Sequence, residues 1–76
     1  MSNQQRRNAS EIRVAFKTMT VQELPYKSAL AVFEHLWDEA NRAAVEVMGT
    51  SLMAEYVALL KEMEWWFQAE AKKAQS

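Results

Sequence analysis

The sequence predicts an all-α protein: a short N-terminal helix followed by a long antiparallel helical hairpin, dimerising into a helical bundle. Three observations carry this. The 76 residues hold one Gly and one Pro but twelve Ala, a composition that favours helix. Apolar residues recur at steps of three and four, the period of an amphipathic helix. The only glycine, Gly49, stands between two uninterrupted segments of nearly equal length.

Each element has its own signal. Residues 1–7 are polar and are expected to form a disordered tail, with one helical domain over 8–76. In "NASEIRVAFKTM", Asn8 and Glu11 have the spacing of a capping box. Ile12, Ala15, Phe16 and Met19 then recur at helical spacing, so a first helix is expected over about 9–19. Pro25 would sit too deep in a helix begun at Thr20, and it pushes Leu24 off helical angles, so 20–24 reads as a turn. The second helix is expected over about 25–48, with Pro25 at its start, where a missing N–H costs nothing. Gly49 suits the left-handed position after a helix, and Thr50 or Ser51 can cap the next one, expected over about 51–74. Lys72 and Lys73 at its end complement the helix dipole. So short a connection makes the two long helices antiparallel.

The apolar faces predict more than a hairpin. Tyr26, Leu30, Phe33, Trp37, Ala40, Ala44 and Val47 form a heptad seam, widened by Ala29, Val32, Leu36 and Ala43 to roughly 160° of the helix. Leu52, Tyr56, Leu59, Met63 and Trp66 form the matching seam, widened by Met53, Leu60, Phe67 and Ala71 to roughly 140°. A two-helix seam needs less. The surplus is expected to be buried against a second copy, as a four-helix bundle with the short helices at its ends. Phe33, Leu36, Trp37, Leu59, Met63, Trp66 and Phe67 are the expected core and dimer seam.

Trp65 does not belong to that seam. In "EMEWWFQAE" it follows Met63 and precedes Trp66 and Phe67, yet at about 100° per residue it points nearly opposite the apolar arc. Its helical neighbours include Ala58, Lys61, Glu62 and Ala69. Either Trp65 lies exposed along the Lys61 stem, or the small alanines around it make a flat contact site for a partner.

Charge and chemistry narrow the function. Residues 28–70 are strongly acidic, while both tips are basic: Arg6, Arg7, Arg13, Lys17 and Lys27 at one, Lys72 and Lys73 at the other. An acidic body repels a phosphate backbone, so nucleic acid is not expected on the main surface. No apolar run approaches the ~18 residues that span a bilayer, and the polar N-terminus is not a signal peptide. The absence of cysteine fits a reducing, cytoplasmic setting. His35, the only histidine, lies on the polar arc and reads as a solvated side chain paired with Glu39. Glu34 and Asp38 are a like-charged i, i+4 pair without a wider ligand set. No catalytic residue, cofactor or metal is therefore expected, and the chain does not read as an enzyme.

The expected function is a non-enzymatic protein-binding module. It would be a homo-oligomer, most simply a dimer, acting as a small adaptor or inhibitor that occupies a partner surface through Trp65 or through the acidic arc of Glu34, Asp38 and Glu46. Its size suggests a phage or mobile-element origin. The alternative is an oligomeric sponge that traps an anionic small molecule between subunits. The outline is loosely similar to the phage hairpin proteins that sequester cyclic nucleotides, but their motif is not found here.

Overall fold

The structure, a computed structural model, describes residues 7–75. The elements are α1 (Ala9–Val21), α2 (Tyr26–Glu46) and α3 (Met53–Gln75), so the protein is all-α. Of the tail expected at 1–7, residues 1–6 lie outside the described residues. Arg7 is described, and an ion pair to Glu39 holds it.

Local chemistry sets the helix ends. Asn8 and Glu11 form the capping box, each side chain accepting from the other's backbone N–H at 2.9 Å. The helix then runs to Val21, past the expected 19, and the Gln22 N–H closes it on the Met19 carbonyl. Pro25 is the N-cap of α2 rather than its first residue, with φ −56 and ψ 149. The helix stops at Glu46, two residues before the expected 48, and the Val47 N–H bonds the Ala43 carbonyl. Gly49 has a φ of 88, the left-handed geometry its spacing predicts. It stands in the turn rather than directly after the helix. There the Thr50 hydroxyl donates to the Val47 carbonyl at 2.6 Å and accepts from the Leu52 N–H at 3.3 Å. Ser51 and Leu52 complete the turn, so α3 starts at Met53.

α2 and α3 pack together as the antiparallel hairpin, and the shorter α1 packs on both. Phe33 near the start of α2 stacks on Phe67 near the end of α3, with ring centroids 5.0 Å apart. The core takes Ile12, Phe16 and Met19 from α1, Phe33, Leu36, Ala40, Ala43 and Ala44 from α2, and Tyr56, Leu59 and Met63 from α3. Ile12, Leu59 and Met63 are fully buried, each stabilising the fold by about 1.5–3 kcal/mol.

α1 packs on the hairpin of its own chain. It lies along one flank of the hairpin, because its own apolar face (Ala9, Ile12, Phe16, Met19) is buried and the short turn before Pro25 folds it straight back. This moves the centre of α2's buried arc. Leu36 and Ala43, the shoulder of the expected seam, are buried. Leu30 and Trp37, within the seam, are only partly buried, and Tyr26 is 39% exposed.

Candidate functional site

The three consecutive aromatics of α3 have different neighbours. Trp66 meets Phe16 of α1 edge-on, with centroids 5.7 Å apart and an interplanar angle of 85°, and touches Phe33 at 5.8 Å. Phe67 turns the other way, onto Phe33. Trp65 lies beyond α1 and is 71% exposed. Edge-to-face and offset ring pairs add to the stabilisation from burial, so Trp66 and Phe67 brace the hairpin while Trp65 contributes little to it.

The residues expected around Trp65 do not form one flat patch on α3. Lys61 and Ala58 are exposed, Ala69 is partly buried, and Glu62 is drawn towards α1. The Glu62 carboxylate pairs with Arg13 and with Lys17, each at 3.3 Å. The Arg13 contact is an ion pair without the alignment of a hydrogen bond. Trp65 instead borders a shallow groove whose other wall is α1, formed by Lys17, Thr20 and Val21. Val21 is 80% exposed, and Val14, two turns earlier on α1, is 65% exposed. The Trp65 surface therefore spans two helices. Sequence reasoning missed the α1 half. The available signal was Val14 and Val21, seven residues apart and off the buried face of the first helix, next to the cationic pair Arg13 and Lys17.

One member of the acidic arc is engaged within α2. Asp38 pairs with Arg42 one turn on, at 3.1 Å. Arg7 grips Glu39 with both ends of its fork, Nε donating to Oε2 at 2.8 Å and Nη2 to Oε1. The chain entering α1 thus brings a bidentate guanidinium to Glu39, the carboxylate expected to pair with His35, and His35 adds a nearby charge to the same carboxylate. The hydrogen bond from Arg7 holds the Glu39 carboxyl below its ordinary range despite partial desolvation, and the same bond raises Arg7. His35 is exposed beside this pair. Glu34 and Glu46 are exposed on α2.

Among the described residues, no three His, Asp or Glu side chains converge as metal ligands. No described helix is long and apolar enough to cross a membrane. Set against known proteins, the chain matches no protein family, no curated protein and no solved structure.

Proposed function

We propose that this protein is a non-enzymatic protein-binding module, built on a helical homodimer, whose partner contact centres on Trp65. The observation that supports it is the exposure of Trp65 at 71%, beside Val21 at 80%, across a groove shared by α1 and α3. Interface hot spots are enriched in Trp because one side chain removes a large apolar area from water on docking. Lys61, exposed one turn before Trp65, would tune the encounter rate more than the affinity. The dimer supplies rigidity, since a hairpin with one short helix on it is a small core at this length.

The alternative, a sponge for an anionic ligand, calls for converging cations. Arg7, Arg13, Lys17 and Arg42 are each engaged by a carboxylate, with which an anion would have to compete.

Site-specific photo-crosslinking in the native host tests the module. A benzoyl-phenylalanine at position 65 should give a discrete adduct with another protein, and the same probe at Ala31 on the outer face of α2 should not. Equal adducts from both positions, or none from 65, would overturn the reading.

A further inference from the structure

We propose that the two copies of the dimer exchange α1, so that the α1 of each chain packs on the hairpin of the other. The inference rests on the dimer reading above and says how the two chains are joined.

The hinge of the exchange is the segment 22–25, whose backbone hydrogen bonds are local. The Gln22 N–H closes α1 on the Met19 carbonyl, and the Ala29 N–H bonds the Pro25 carbonyl at the start of α2, so both bonds belong to helix ends. The bond inside the hinge runs from the Leu24 N–H to the Gln22 carbonyl at 2.9 Å, a tight turn around Glu23. Gln22 and Pro25 are already extended, with ψ of 143 and 149. Pro25 keeps Leu24 out of the helical region, so α1 and α2 do not fuse into one rod when the turn opens. Residues 21–28 are all exposed. Opening the hinge therefore gives up one local bond and no packed side chain of its own.

What α1 leaves on one copy it regains on the other. Among the described residues, no backbone hydrogen bond joins α1 to the hairpin. Side chains hold it: Ile12, Phe16 and Met19 in the core, Phe16 against Trp66, Arg7 on Glu39, and Arg13 and Lys17 on Glu62. The Asn8–Glu11 capping box belongs to α1 alone, so the helix keeps its cap wherever it docks. The flank is thus shaped for an α1, and a second copy of the chain supplies an identical one. Four extended hinge residues reach about 13 Å, enough to pass α1 to a copy whose hinge runs alongside.

The closed chain leaves three apolar side chains around the hinge in water: Val21, Leu24 and Tyr26. Two hinges crossing at a two-fold axis bring these residues of both copies together, a contact the closed chain lacks. That contact, added to the exchanged ones, favours the second copy. The groove beside Trp65 then takes Lys17, Thr20 and Val21 from one chain and Glu62, Trp65 and Trp66 from the other.

The chain has no cysteine, so thiols can be placed singly. Chains carrying Lys17→Cys are unfolded together with chains carrying Glu62→Cys, refolded, and treated with a short bifunctional maleimide. An affinity tag on one variant identifies the mixed product. A covalent mixed pair is expected. Thr50→Cys in place of Glu62→Cys should not give one, since position 50 lies about 18 Å along the chain axis from position 62. A dimer in sedimentation without the mixed 17–62 product would overturn the exchange and leave the dimer standing. A glycine run inserted between Glu23 and Leu24 touches no packed residue and reads the hinge independently. It should weaken self-association at least ~10-fold by letting α1 close on its own hairpin. An unchanged dimer in that variant would also overturn the exchange. A monomeric parent chain at ~100 μM would overturn both this inference and the dimer reading beneath it.

Discussion

The two flanks of the α2–α3 hairpin differ in what covers them. The α1 flank is closed by Ile12, Phe16 and Met19, ringed by Arg7–Glu39 and by the bridge from Glu62 to Arg13 and Lys17. The opposite flank keeps Leu30, Trp37, Leu60 and Phe67 half-covered. Where the chain covers itself, charges surround the apolar contact and fix its register. Where it does not, the charges stand back from a strip left smooth. The difference teaches that ion pairs mark the intramolecular contact, while the bare strip is the surface that remains available.

Several substitutions sharpen or break this contrast. The largest effect belongs to Phe33, which is buried between the flanks and touches Trp37, Trp66 and Phe67. Phe33→Ala should cost about 3–5 kcal/mol in urea denaturation, with Trp66→Ala towards the lower end because its ring is partly exposed. A loss below ~1 kcal/mol at both sites would mean that neither flank depends on this cluster.

Next comes the charged rim of the covered flank. Glu62→Gln weakens two ion pairs at once. Their side chains are more than a third exposed, so screening limits the loss to about 0.5–1 kcal/mol by thermal melting, and less in high salt. A salt-independent loss would mean that the bridge acts by packing rather than by charge.

The Arg7–Glu39 pair should show in acid. The folded-state Glu39 carboxyl is depressed, so the stability it contributes is present above its unfolded value and is lost as pH falls through the folded one. The parent chain should exceed Arg7→Ala in stability above pH ~5, the upper side of the ordinary glutamate range, and the gap should close on further acidification. A gap that is constant down to pH ~2 would rule out this linkage. The smallest effect is expected at Trp65: Trp65→Ala should change stability by no more than ~0.5 kcal/mol, because so little of its ring is covered. A larger loss would place the indole against α1 rather than beside it.

Much of the fold was legible because it depends on local chemistry. The Asn8–Glu11 box, the break at Pro25 and the left-handed Gly49 each act within four residues. Helical periodicity likewise turns Trp65 away from Trp66. What the sequence did not reveal depends on how elements meet. The apolar arcs of the long helices are wide, and periodicity alone does not say which edge α1 will take. Hence Ala43 is buried while Trp37 is only partly buried against the core, and Glu39 bonds Arg7, distant in sequence, with His35 acting on it as a nearby charge. The α1 wall of the Trp65 groove was hidden for the same reason, since Val21 meets that groove only once α1 has docked.

The Phe16–Trp66 contact has a consequence for the order in which the molecule is made. About fifty residues separate the two rings along the chain. At 5–20 residues per second on a ribosome, Phe16 is synthesised roughly 3–10 s before Trp66 exists. A helix of 13 residues is marginal alone in water, so during that interval α1 depends on α2 for a surface on which to settle. The docking of α1 is therefore completed only when the end of α3 emerges, and until then Phe16 lacks its Trp66 neighbour.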